Sequence, residues 1–295
     1  MVCKLASREY KLLLDPKQFS RTLTTDQAND FLYQIRDKLK LHGELVSRLR
    51  SQFSQPEVRK IQFWDLPNCA LTANDFALRS RVENEKRKTT LKLRKADYFI
   101  VKSYYPKDED WYDDVKFEED IAPLEVKPKG ADSSIVFPTE HSIRSRFSLS
   151  LTTKKEINES TTTEDIFDWY PLLNDGLDVP VPPGRTLIGG RVINESVAKG
   201  AEIDFSDGVE GKLALTIWSF TKPGVALGNA QDEQNGAPEI AEISFTCKTT
   251  DDGDMSAKAA REAYDFFIAL QTHLNVNMSD ASKTSLALPD RCAHY

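Results

Sequence analysis

The sequence has no run of about eighteen apolar residues, which a membrane-spanning helix needs, and Met1 to Leu14 holds no apolar segment of the kind that opens a signal peptide. The expectation is a soluble, cytoplasmic chain with no membrane partner. Positive charge is in deficit. A formal net charge of -7 argues against a general nucleic-acid binder, whose affinity rests on clustered Lys and Arg against the phosphate backbone. Cysteine is sparse: Cys3, Cys69, Cys247 and Cys292 show no CxxC spacing, so reduced thiols are expected. Histidine is equally thin, and His42, His141, His273 and His294 lie far apart with no metal or triad spacing. The stretch Gly184 to Gly190 lacks the Gly-Lys-Ser/Thr ending of a phosphate loop and reads as a turn. Asn-Glu-Ser triplets at Asn158 and Asn194 match a glycosylation pattern with no secretion signal to give it meaning.

What is present suits a folded protein: 295 residues, 40% hydrophobic and 29% charged. Ser7 to Leu14 alternates as a strand, with Ser7, Glu9 and Lys11 on its polar face. Thr24 with Gln27 resembles a capping box, after which Ala28, Phe31, Leu32, Ile35 and Leu39 recur at helical spacing. Leu45, Val46 and Leu49 carry that stripe past Gly43. Further strands are expected at Ile61 to Trp64, Ala77 to Val82, Thr89 to Arg94, Ser142 to Leu151, Arg191 to Asn194, Ala201 to Phe205, Lys212 to Phe220 and Glu239 to Lys248. Turns are expected over Glu83 to Lys88 and at Ser206-Asp207-Gly208. Residues 104–130 and 160–184, rich in aromatics, acids, Thr and Pro, read as insertions at the rim, with Trp111 and Tyr112 anchoring the first. A closing amphipathic helix begins near Ser256, and a polar tail follows from Ser279. One domain over 1–278 and a tail over 279–295 is the expected organisation.

The most informative pattern is a recurring basic face. Arg79 and Arg81 share one side of their strand while Phe76, Leu78 and Val82 take the other. Lys92 and Arg94 repeat this opposite Leu91 and Leu93, and Arg144 and Arg146 repeat it opposite Ile143 and Phe147. Several basic residues facing one space suit a polyphosphate, whose oxygens accept bidentately from guanidinium groups and meet ammonium as a point charge.

The order of these motifs resembles the CYTH family, also called triphosphate tunnel metalloenzymes, over nearly the whole chain. The residues that carry the resemblance are Ser7-x-Glu9-x-Lys11, Trp64-Asp65-Leu66-Pro67, Arg79-x-Arg81, Lys92, Arg144 with Arg146, Arg191 or Lys212, and Glu242-x-Ser244. It implies a mostly β fold, a closed antiparallel barrel with flanking amphipathic helices. It also implies a metal-dependent hydrolase of an inorganic or organic triphosphate, with Mg²⁺ or Mn²⁺ as cofactor. Glu9, Lys11, Arg79 and Arg81 would be catalytic. Lys92, Arg94, Arg144, Arg146, Arg191 and Lys212 would join Lys11, Arg79 and Arg81 in holding the substrate. Glu9 and Glu242 would bind the metal. Ser7 and Ser244 stand where the family has carboxylates, and Glu202, Asp204 or the cluster Glu118-Glu119-Asp120 are the candidate replacements. A barrel that binds a polyphosphate or nucleotide without turnover, a nucleotide cyclase, and a structural β domain with protein-binding insertions are the other readings.

Overall fold

Among the described residues, polar–apolar alternation sets eleven strands: β1 (Ser7–Leu14), β2 (Leu49–Arg50), β3 (Glu57–Asp65), β4 (Phe76–Glu83), β5 (Lys86–Lys95), β6 (Asp114–Pro123), β7 (Ile143–Thr153), β8 (Ile188–Gly189), β9 (Ile193–Asp204), β10 (Glu210–Phe220) and β11 (Ile240–Lys248). The computed structural model describes residues 3–39, 48–123, 143–174, 177–221, 238–274, 283–284 and 286–292. The strands pair in the order β2-β9-β10-β11-β1-β6-β7-β5-β4-β3-β8, and a further β9–β3 pairing joins the two flanks. Nine strands therefore close into a barrel, with β2 and β8 as additions. The expected closed, mostly β barrel is what the chain forms. One seam departs from the antiparallel expectation, because β1 and β6 run parallel.

Closure gives every strand an inner and an outer face. Outside, Tyr10, Leu12, Leu215, Ile243 and Phe245 pack under α1 (Thr25–Leu39) and, at the chain's end, a long helix. Thr24 accepts from the Gln27 amide at 3.2 Å, but Gln27 turns its side chain to Ser20, so only half of the capping box forms. A second outer layer places Leu78, Leu91, Leu93, Phe117, Leu149 and Leu151 under α2 (Ala70–Ala73), α3 (Tyr98–Ser103) and α4 (Thr163–Trp169). The long helix is α5 (Ala257–His273), which the Ser256 hydroxyl caps by accepting from the Ala259 amide at 3.0 Å.

Several expectations need correction. Leu49 does not extend α1; it lies in β2 against Ile203, while Leu45 and Val46 fall outside the described residues. Residues 114–123, read as part of a rim insertion, form the barrel strand β6 between β1 and β7. The β4–β5 turn is shorter than expected. Asn84 and Glu85 both take positive φ (48° and 63°), a two-residue hairpin loop, so Glu83 pairs with Lys86 and the basic face of β5 gains Lys86 and Lys88. Cys69 and Cys292 are joined as a disulfide, which leaves Cys3 and Cys247 as free thiols. Composition had no means of pairing two cysteines 223 positions apart.

Two local devices aim the inner face. The Asp65 carboxylate accepts from the amides of Leu66, Leu71 and Thr72 at 2.7, 3.0 and 3.0 Å, so the acid of the Trp64-Asp65-Leu66-Pro67 turn caps α2. Burial pushes this carboxyl up, against those hydrogen bonds. In β9, Gly200 at φ +106° sits where the pairing with β10 slips between Lys212 and Ala214. That bulge returns Glu202 and Asp204 to the inner side, while Ala198, Ala201 and Ile203 stay under the helices.

Candidate ligand-binding interior

Along β1 the residues Glu9, Lys11 and Leu13 alternate with the helix-covered Tyr10, Leu12 and Leu14, and so point into the barrel. The same parity turns Arg59, Arg79, Arg81, Lys88, Lys92, Arg94, Asp120, Glu195 and Glu242 inward. One end of the interior is apolar: Ile61, Phe63, Ile193, Trp218, Phe220 and Ile240 cluster there with Ala287 and Leu288 of the C-terminal segment. The other end opens at the β4–β5 hairpin, where Arg81, Glu83, Asn84, Lys86 and Lys88 line a pocket of about 230 Å³.

Between the two ends one carboxylate serves three cations. Asp120 Oδ1 meets Lys11 Nζ at 2.7 Å, and Oδ2 meets Lys92 Nζ at 3.1 Å and Arg94 Nε at 2.9 Å. Burial alone would raise this carboxyl, but Lys11, Lys92 and Arg94 together hold it well below its ordinary value. Lys11 has a second partner in Glu9 at 2.8 Å, and its pKa is raised: burial opposes the charge, and Asp120 and Glu9 outweigh burial. Lys92 goes the other way. Burial, with Lys11 and Arg94 close by, drops its amine to about 8 in spite of Asp120.

Arg79 is the least satisfied cation of this group. It makes no ion pair or hydrogen bond with the described residues, and burial lowers its pKa, with Glu195 attracting it and Arg81, Arg59 and Arg94 repelling it. Arg81 reaches Glu83 only at 3.8 Å. Glu195 itself is held low. Burial is outweighed by Lys283, by the indole N–H of Trp218 donating at 2.8 Å, and by Arg79 and Arg59.

The remaining sequence-predicted residues are dispersed. Arg144 and Arg146 lie on the inner face of β7, with Arg146 exposed opposite Asp120. Lys212 is exposed on β10 opposite Glu202. Arg191 does not join the cluster; it donates to the Thr221 carbonyl at 2.9 Å and stacks 4.8 Å over Phe220, at the apolar end. Of the first insertion's aromatics, Tyr112 stacks on Tyr170 and anchors the segment, whereas Trp111 is exposed. Arg59, Glu195 and Lys283 also reach this interior without having stood out in the sequence. The Glu57-x-Arg59 alternation lay just ahead of the expected strand and was the one available signal.

The inner carboxylates do not fit Mg²⁺ or Mn²⁺. Such ions ask for about six oxygens at close, regular distances, and among the described residues no three His, Cys, Asp or Glu side chains form a group able to hold a metal. Glu242 is taken by Lys283 at 3.1 Å, Glu9 by Lys11, and Asp120 by three cations. Glu202 and Asp204 face Arg50 at 3.7 and 2.6 Å. Glu118 accepts from Ser7 at 2.9 Å, and Glu119 points outward to Arg8 at 2.6 Å. Each candidate ligand already has a hydrogen-bonding or charged partner.

The lowered Lys92 gives a measurable signature. Between about 8 and its ordinary 10.5 the unfolded chain binds more protons than the folded one, so this group makes stability rise with pH across that window. A bound polyanion favours the charged amine. Proton uptake is therefore expected when tripolyphosphate binds at pH 8.5, seen by calorimetry as heats that differ between buffers of unlike ionisation enthalpy. Equal heats would place the ligand away from Lys92.

No protein-family profile matches the chain, and no curated protein does. Solved structures do. A candidate adenylyl cyclase from Hippeastrum, described as having a dominant triphosphatase activity, matches at 13% identity over 94% of this chain and 93% of that one, with a TM-score of 0.37. A candidate adenylate cyclase from Bacillus halodurans matches at 12% identity over 95% and 96%, with a TM-score of 0.35. A Pyrococcus horikoshii protein matches at 12% identity over 91% of each chain, with a TM-score of 0.33. The strand pairing by itself closes the barrel.

Proposed function

We propose that the chain binds a triphosphate-bearing small molecule in its basic barrel interior and holds it without turnover. One observation carries this reading: a single buried carboxylate, Asp120, is shared by Lys11, Lys92 and Arg94, while Arg79 stands by with no ion pair among the described residues. Cations crowded in a confined, partly dry space repel one another, and a polyanion relieves that repulsion as it makes new charge-assisted hydrogen bonds. Lys11, Arg79, Arg81, Lys92 and Arg94 form the central cradle in this reading, with Lys88 and Arg146 nearer the openings. Hydrolysis with Mg²⁺ or Mn²⁺, the activity implied by the sequence resemblance, would need carboxylates that are here committed to Lys and Arg, so binding is preferred over catalysis.

Tripolyphosphate at millimolar concentration and low salt is expected to raise Tm, because a ligand of the folded state alone stabilises it by mass action. Added salt should shrink the shift. No shift would sink the reading. The same samples, extended to thiamine triphosphate and nucleoside triphosphates with and without Mg²⁺ or Mn²⁺, test the rivals: released orthophosphate would replace binding by triphosphatase activity, and a cyclic nucleotide product would replace it by cyclase activity.

A further inference from the structure

The inner carboxylates nearest the apolar end are Glu195 on β9 and Glu242 on β11, and Trp218 on the intervening β10 points to the same side. Into this space comes Lys283, from the C-terminal segment rather than from any barrel strand. Its ammonium lies 3.1 Å from Glu242 Oε1 and 4.3 Å from the centre of the Trp218 ring, and its charge helps hold Glu195 ionised. A cation in contact with both a carboxylate and an indole face is well placed.

The segment that delivers it is fastened at several points. The Ala287 and Leu288 amides both donate to the Thr284 carbonyl, at 3.0 and 3.1 Å, which turns the chain directly after Lys283. Ala287 and Leu288 are buried in the apolar cluster, Arg291 donates to the Pro67 carbonyl at 3.2 Å, and Cys292 is bonded to Cys69. Gly190 gives it room, since a Cβ there would lie 2.3 Å from the Ala287 carbonyl oxygen.

We infer that Lys283 is a resident cation of the barrel floor, neutralising Glu242 and Glu195 in place of a divalent ion, so that polyphosphate binding by this chain does not use Mg²⁺ or Mn²⁺. The inference rests on the binding function proposed above for its second half. Its first half, the occupancy of the carboxylates by a tethered ammonium, concerns the empty barrel and is tested without phosphate.

The experiment compares the full chain with Lys283→Met and Lys283→Ala, the first of which keeps most of the stem that packs on Trp218. Mn²⁺ binding is followed by electron paramagnetic resonance, tripolyphosphate binding by calorimetry in EDTA and in Mn²⁺, and folding by thermal melts. The wild type should bind tripolyphosphate in EDTA, with no tightening by Mn²⁺. A folded Lys283 variant should take up Mn²⁺ roughly tenfold or more tightly than wild type, because removing the ammonium frees the Glu242 carboxylate on the same side of the barrel as Glu195, which keeps Arg59 as a partner at 3.4 Å. Its tripolyphosphate binding should become Mn²⁺-dependent. Mn²⁺ affinity unchanged in a folded variant, or a wild type that binds tripolyphosphate only with Mn²⁺, overturns the inference. Tripolyphosphate that fails to bind under any condition overturns the proposed function, and the Mn²⁺ titration then decides the role of Lys283 alone.

Discussion

Replacing Asp120 by Asn is expected to cost about 3–5 kcal/mol of stability, the range for removing one partner of a buried ion pair. In a chain of this size that is a fall in Tm of roughly 5–10 °C. The Asp120 side chain is 8% exposed, and the change strands three cations at once, so water recovers little of the loss. Tripolyphosphate should rescue the variant more than it stabilises wild type, because it supplies the negative charge the substitution removes. The pH dependence has a definite sign. A carboxyl held below its ordinary 3.8 stabilises fully above that value and loses the contribution as pH falls towards its folded value. Wild type and variant should therefore converge in acid. The neighbouring Glu119→Gln alters the outward pair with Arg8 and should leave polyphosphate binding unchanged. An Asp120→Asn protein that melts with wild type would show that the carboxylate does not hold the three cations.

Arg79 should give the opposite profile. Its guanidinium is half-buried without an ion pair among the described residues, so Arg79→Met removes a partly desolvated charge and much of the repulsion with Arg81 and Arg94. The melting temperature of the unliganded protein should hold or rise. Tripolyphosphate affinity should fall by roughly tenfold or more, since a lost charge-assisted contact in a confined site costs about 1.5–3 kcal/mol. Calorimetric titration and a melt on the same sample separate the two effects. A variant that binds normally would remove Arg79 from the ligand cradle.

The residues that were legible in the sequence are those whose environment repeats every second position. Arg79, Arg81, Lys92 and Arg94 were read as one basic face because Leu78, Leu91 and Leu93 between them form an uninterrupted buried face. β6 escaped because its alternation is broken on the covered side: Glu119 sits among Phe117 and Ile121, a charge tolerated there because Arg8 of β1 and Ser145 of β7 meet it. Only the three-dimensional pairing supplies those partners. Lys283 had no periodic context at all. Its position is set by burial of Ala287 and Leu288 and by the bond from Cys292 to Cys69, contacts made far along the chain from the side chains it serves. The carboxylates show a related gap. Glu9 and Glu242 were recognisable as inward acids, but whether an inward acid meets a metal or an ammonium depends on neighbouring strands and on the C-terminal segment.

The seam between the first and last strands of the barrel bears on how the chain reaches its native state. Ser7 faces Lys248 and Leu14 faces Ala241, so β1 gains its antiparallel partner only after the remaining barrel strands have been synthesised. During synthesis one edge of β1 has no native strand beside it, and β10 waits for the same partner. Pairings this distant in sequence are slow to form, and an edge left open is a template for another chain. Folding is thus expected to close the barrel only once β11 is available, with β11 inserting last. A nascent or truncated chain that stops before residue 240 should be trapped with two unfilled edges and recruit its own copies.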